Sequence, residues 1–469
     1  MRKIVYLFAV LFIFNAIGFA QSKGYDIKAK IKGLKQDEQC FLGNYFGDKQ
    51  YVQDTAKIDS KGYVEFKKDE KVAGGIYFIV LPDRKYFEII MDEQQIFSVE
   101  TDTNDLINNM KVKGSSDNQM FYDYLKFIDA KHKLIMPLSD KIKELPEKSD
   151  EANAVREKIK AINKDVENYK LDFIKKYPDK FLSKVFLASK EVEVPKAPLL
   201  ANGKTDSLFT YNYYKTHYFD DVDFTDDRLL RTPIFHNKLN NYITNLVLQL
   251  PDSISKEADY LISKTKDNKE VFKYLVWFIT NYSERSNIMG MDGAFVHMVE
   301  TYYKTNKAFW ITPTQLQKIV DRSNKLKPLL LGKIAPNVTV LDSIGKKHSL
   351  LDVKAKYTVL YIWSTDCGHC KKMTPILKDF YIANKSKDIE VFALCTETDL
   401  DKWKEKVLEY DASWINVWDP INMSNFRDIY DVYSTPVVYL LDKDKKILAK
   451  RIDVTQLQEF IDKLIKEGK

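Results

Sequence analysis

Cys367-Gly-His-Cys370 is the place in this sequence where residue types and spacing point most directly to chemistry. Two thiols separated by two residues can close a small strained disulfide ring and reopen it. From Cys370 onward the pattern is helical, with Leu377, Phe380 and Tyr381 at spacings of three and four. The pair therefore opens a helix, where unpaired backbone N–H groups and the dipole stabilise a thiolate on the first sulfur. That makes Cys367 a nucleophile and Cys370 its resolving partner, joined in a redox-active disulfide when oxidised. Cys-x-x-Cys pairs also hold zinc, but a tetrahedral structural site needs four ligands. The other two cysteines, Cys40 and Cys395, are isolated, and no close pair exists among His132, His217, His236, His297 and His348. Redox chemistry is favoured, with no metal and no cofactor expected.

Several elements must position this pair. Tyr357–Trp363 is a short apolar, β-branched and aromatic run that suits a strand covered on both faces. Ahead of it, Gly332-Lys-Ile-Ala-Pro336 opens the domain, and Val338–Leu341, the turn Asp342–Gly345 and His348–Leu351 predict a hairpin. Ile389–Cys395 reads as a second buried strand and Leu400–Tyr410 as a helix. Thr435-Pro436 stands at the mouth of a third apolar strand. A final helix is expected after Thr455, with Gln458 completing a capping box and Gly468 at its end. Alternating strands and helices, one early hairpin and a late antiparallel pair predict a mixed sheet covered on both faces.

The rest of the chain reads as two further domains behind an export signal. Met1-Arg2-Lys3 is basic, Ile4–Phe14 is apolar, and Gly18-Phe19-Ala20 offers small residues before Gln21. The apolar run is too short to span a bilayer, so a signal peptide over 1–20 is expected, cleaved near Ala20. The uncleaved anchor is the competing reading. Removing Arg2 and Lys3 takes the formal charge from +6 to +4, with cations dispersed along the chain, so no nucleic-acid partner is implied. Four cysteines in 469 residues make no disulfide framework.

Residues 21–116 alternate in short segments between turn signals at Gly33, Asp59–Gly62 and Pro82-Asp83, which predicts an all-β sandwich. Cys40 lies within one of these segments and reads as a buried hydrophobe. Residues 117–331 predict an all-α domain. Val155, Ile159, Ile162, Val166, Tyr169 and Phe173 form a coiled-coil-like seam, with Phe121, Leu125, Ile128 and Ile135 on an antiparallel partner. Pro146–Asp150 is the expected turn, with Asp150 a candidate cap. The aromatic runs Tyr211–Tyr214, His217–Asp221 and Phe272–Phe278 read as core. An exposed groove for an extended partner is their alternative. His217 with Asp220 and Asp221 is a weak metal candidate; a hydrogen-bonded or solvated histidine is preferred.

Residues 332–469, with Trp363, Cys367, Cys370, Pro375, Thr435 and Pro436, resemble a thioredoxin-fold protein of the TlpA-like exported group. The resemblance implies a C-terminal α/β thioredoxin fold in which Pro436 is cis and faces the cysteines. Cys367 and Cys370 would be catalytic there, with Trp363, Gly368, His369, Thr435 and Pro436 binding substrate or tuning the pair. The two preceding domains resemble, more loosely, domains of unknown function often fused to such modules.

Departures from the family pattern bear on mechanism. Tyr361 replaces a buried Asp usual in thioredoxins, and Met373 a Glu common in TlpA-like reductases, so proton transfer around Cys370 is unassigned. Asp366 replaces a Trp, and its charge opposes the thiolate. Gly368-His369 matches the protein disulfide isomerases; the histidine favours the thiolate and moves the potential toward about −180 mV. The resulting expectation is an exported, periplasmic thiol–disulfide oxidoreductase acting on protein disulfides as reductase or isomerase. A membrane thiol donor would keep it reduced. A thiol peroxidase and a non-enzymatic partner-binding protein are the alternatives, the first weakened by Leu360 where that group carries proline. Cys395 ends a strand on the active-site side and is expected to be a buried structural thiol.

Overall fold

The computed structural model describes residues 24–467. The expected signal peptide and Gly468 lie outside the described residues. No helix among those described is long and apolar enough to cross a membrane. The chain divides at Asn240–Asn241 into two compact units, and the division falls inside the helical region.

The first unit begins with eight strands: β1 (Tyr25–Lys32), β2 (Gln39–Phe46), β3 (Lys49–Lys57), β4 (Tyr63–Lys68), β5 (Gly75–Val80), β6 (Tyr86–Met91), β7 (Ile96–Asp102) and β8 (Lys111–Lys113). They form two four-stranded sheets, ordered β4-β1-β7-β8 and β3-β2-β5-β6. In β1 the buried positions Tyr25, Ile27, Ala29 and Ile31 alternate with more exposed lysines and Asp26, as one covered face demands. Cys40 is buried on β2, as its lone strand position suggested.

Helices follow: α1 (Ser116–Glu144), α2 (Asp150–Lys176), α3 (Phe181–Ala188), α4 (Phe209–His217) and α5 (Pro233–Asn241). The predicted seam joins α1 to α2, with Phe127 stacked on Tyr169 at 4.5 Å between centroids. The cap of α2 corrects the expectation: Ser149 accepts from the backbone N–H of Ala152, while Asp150 is the first helical residue. A serine oxygen reaches that N–H from the extended backbone just outside the helix, which Asp150 does not have. Tyr211–Tyr214 also depart from the core reading. They lie on α4, which buries none of its residues, whereas Tyr218 and Phe219 beyond it are buried. His217 is hydrogen-bonded, its Nδ1 lying 2.6 Å from Asp220 Oδ2. Asp221 pairs instead with Lys190.

The second unit holds four more helices, α6 (Pro251–Ser263), α7 (Lys269–Arg285), α8 (Asp292–Met298) and α9 (Pro313–Leu326), and then the C-terminal domain. In Phe272–Phe278 the core reading holds for Tyr274, Leu275, Val276 and Phe278, but Trp277 is partly exposed. The C-terminal strands are β9 (Thr339–Leu341), β10 (Lys347–Ser349), β11 (Tyr357–Trp363), β12 (Ile389–Cys395), β13 (Ile415–Trp418), β14 (Val437–Leu441) and β15 (Ile447–Lys450). They form one mixed sheet ordered β10-β9-β13-β12-β11-β14-β15. Its helices are α10 (Gly368–Asn384), α11 (Leu400–Tyr410), α12 (Phe426–Ile429) and α13 (Leu457–Lys466).

β11 is central and buried along its whole length. Tyr357, Val359, Tyr361 and Trp363 pack into the core that includes Leu377 and Phe380 of α10. Leu360 and Ile362 join the opposite core with Tyr430 and Tyr439. The terminal helix is capped differently from expectation. Asp453 and Gln456 form the capping box, on a short 3₁₀ turn that leads into α13. Thr455 donates to Asp453, and Gln458 reaches Asn384 instead.

Candidate active site

Strand register brings the site together. Trp363, at the end of β11, pairs with Cys395, which pairs in turn with Trp418, while Ile362 pairs with Val437 at the start of β14. The segments leaving β11, β12 and β13 and the one entering β14 therefore meet at one end of the sheet. Cys367 leaves that end as the N-cap of α10. Its Sγ accepts from the backbone N–H of Cys370 at 3.1 Å, and the thiol donates to the Thr435 carbonyl at 3.1 Å. The Thr435–Pro436 bond is cis, and it faces Cys367.

The two thiols occupy opposed environments. Cys370 is fully buried, and burial followed by the neighbouring Cys367 sulfur pushes its pKa up to about 12. Partial burial opposes the Cys367 thiolate too. Hydrogen bonding from Cys370 and from the Thr435 side, with the backbone N–H groups of Cys370 and His369, outweighs it and lowers the Cys367 pKa. A partly exposed low-pKa thiol beside a buried high-pKa thiol is the arrangement that attack and resolution require. Gly368 opens α10, and a Cβ at this position would meet open space.

Other predicted residues find specific partners. The His369 ring faces Asp453, with Nε2 3.4 Å from Oδ2. Trp363 is buried and packs edge-on against Tyr410 at 5.8 Å. Tyr361 lies 2.9 Å from Thr374 Oγ1, which itself donates to the Cys370 carbonyl at 2.8 Å. Burial holds the Tyr361 phenol protonated far above the ordinary range, so it replaces the missing aspartate as a neutral hydrogen-bonding group, not as a base. Asp366 is countered: Lys402 Nζ lies 2.5 Å from its carboxylate. Its expected opposition to the thiolate is weakened accordingly.

Glu397 and Lys402 escaped the sequence reading. Thr365 donates to Glu397 at 2.6 Å, and Lys402 stands 3.1 Å away. Thr365 leads this stabilisation, which outweighs partial burial and lowers the Glu397 pKa to about 2. Glu397 N–H also points at Cys395 Sγ at 3.5 Å, and burial pushes that thiol up to about 12. The available signal was the run Glu397-Thr-Asp399 beyond a buried strand, which reads equally as an ordinary helix start.

Comparisons with known proteins bear on each of the three regions of the chain. Residues 331–450 match a model described as the AhpC/TSA family, 147–326 a domain of unknown function (DUF5106), and 25–121 another (DUF4369). A thiol-disulfide oxidoreductase ResA from Bacillus cereus is 33% identical over 148 residues, covering 31% of this chain and 82% of that protein. The chain belongs to the ResA family of thiol–disulfide oxidoreductases through its C-terminal domain. The Bacillus subtilis ResA protein is 31% identical over 143 residues, covering 29% of this chain and 76% of its own. A solved domain of a possible thiol-disulfide isomerase from Cytophaga hutchinsonii is 42% identical, covering 30% of this chain and 96% of that one, with a TM-score of 0.29. The ResA relatives make this chain an oxidoreductase of thiols and disulfides, on a thioredoxin-like domain preceded by β-sheet and helical regions.

Proposed function

We propose that Cys367 and Cys370 are the redox pair of an exported enzyme that reduces or isomerises protein disulfides. The supporting observation is the contrast between a half-exposed, hydrogen-bonded Cys367 of lowered pKa and a buried Cys370 of raised pKa. In this reading the Cys367 thiolate attacks one sulfur of a substrate disulfide and releases the other as a thiolate. Cys370 then attacks Cys367 Sγ in the mixed disulfide, the second substrate sulfur leaves, and the Cys367–Cys370 disulfide remains. Two electrons pass to the substrate, and a dithiol donor, by this reading a membrane thiol relay, returns them. Isomerisation releases the substrate at the mixed-disulfide stage. The basic start, the short apolar run and the small residues before Gln21 support export to the periplasm, and N-terminal sequencing of the protein from cells should begin at Gln21.

Turnover of insulin against turnover of hydrogen peroxide, each with dithiothreitol as electron source, tests the reading. Insulin reduction that disappears in Cys367→Ser is expected. Faster consumption of peroxide would make the protein a peroxidase, and turnover of neither substrate by the wild-type protein would favour a binding protein, a reading set aside if Cys367→Ser loses function without losing binding.

A further inference from the structure

The segment that carries Thr435 is gripped from the helical region. Asp431 lies four residues ahead of Thr435, with a left-handed backbone (φ 53°) and a side chain at 0% exposure. A carboxylate is tolerated there only when charges and hydrogen bonds meet it. Two guanidiniums do so, Arg451 Nη2 at 2.8 Å from one oxygen and Arg322 Nη1 at 2.7 Å from the other. Arg451 follows β15, within the thioredoxin-like domain. Arg322 lies on α9, inside the region matched by the DUF5106 model.

Further contacts extend the grip toward the cysteines. Lys325, three residues along α9, pairs with Asp428 at 2.5 Å. Tyr433 is 73% exposed, yet its ring centroid is 5.8 Å from the Arg322 guanidinium and 5.7 Å from Lys325 Nζ. Both cations are close enough for an attraction to the ring face. Helix α9 thus touches residues 428, 431 and 433, and the chain reaches the Thr435 carbonyl, facing Cys367, two residues later.

We propose that α9 is part of the redox site, with Arg322 a positioning residue that holds the Thr435–Pro436 segment ready for polypeptide substrates. Tyr433, carried on Arg322 and Lys325, is the surface against which a substrate chain lies beside its disulfide. The cations act through the loop and not on the sulfurs, so the arrangement favours polypeptide disulfides over small ones. A small disulfide needs only the two cysteines; an extended chain also needs the loop in register. This assignment rests on Cys367 and Cys370 being the redox pair.

The test uses the full chain and two probes: insulin turnover with dithiothreitol, and reaction of the reduced protein with oxidised glutathione. Arg322→Met should raise KM for insulin by about fivefold, with kcat and the glutathione-disulfide rate within about twofold of wild type. Arg322→Lys, which keeps the charge, should recover part of that loss. Lys325→Met and Tyr433→Ser should each raise the insulin KM by about twofold or more. Thermal melts establish that the variants are folded. Should Arg322→Met fail to fold, Lys325→Met and Tyr433→Ser, neither of which takes a partner from the buried Asp431, decide the matter. An insulin KM unchanged in every folded variant overturns the proposal, as does an equal loss with both probes. Wild-type protein inert toward both disulfides would instead remove the redox assignment on which it rests.

Discussion

Cys367 and Cys370 share a helix and differ in what each sulfur faces. Cys367 meets backbone N–H groups and solvent, and Cys370 meets the packed core. Iodoacetamide at neutral pH should therefore label Cys367 well ahead of Cys370, as read by peptide mapping of the reduced protein. Preferential labelling of Cys370 would contradict the assignment of nucleophile. His369 is the tuning residue to vary. We expect a wild-type potential between roughly −230 and −150 mV in a glutathione titration, with His369→Pro more reducing. A wild-type value near about −120 mV would make the protein a disulfide donor. Glu397 supplies the acid-side test. Its pKa falls from 4.5 unfolded to about 2 folded, so its contribution is full above pH 4.5 and is lost as pH falls through about 2. Glu397→Gln should flatten acid destabilisation across that window, by on the order of 1 kcal/mol, since Lys402 and water screen the group.

At the scale of elements, helix starts do much of the placing. The first turn of α10 directs its N–H groups at Cys367. The capping box at Asp453 starts the terminal helix and gives His369 its partner. The start of α2 is a simpler case. Ser149→Ala removes the acceptor for Ala152 N–H and should cost about 1 kcal/mol in urea unfolding, while Asp150→Ala should cost less. Equal losses would return the cap to Asp150.

Within the second unit, one buried ion pair joins α8 to the last strand of the sheet. Lys450, with its side chain 7% exposed, contacts Asp292 and donates to the Leu329 carbonyl at 2.7 Å. Burial opposes its charge and lowers its pKa, so the ammonium depends on these partners. Asp292→Asn leaves that charge underpaired and should destabilise the protein by about 3 kcal/mol, more than Lys450→Met, which removes it. Urea unfolding of the full chain checks the order. A milder Asp292→Asn would mean that the pair contributes little.

The sequence by itself determined the elements whose signals are local. The buried run Tyr357–Trp363, the helix opened by the cysteines and the strand Ile389–Cys395 are written in the hydrophobicity and spacing of adjacent residues. Caps were legible only to within a few residues, because Ser, Thr and Asp at neighbouring positions offer similar oxygens and the backbone angle chooses among them. The distant partners of charged side chains were not legible. Lys402 beside Asp366, Asp453 beside His369 and Arg322 beside Asp431 are separated by 36, 84 and 109 residues. No periodicity encodes such pairs; strand order and helix packing bring them together. Local chemistry therefore named the two sulfurs, and tertiary structure decided which charges surround them, because Coulomb and hydrogen-bond energies depend on distance in space and not along the chain.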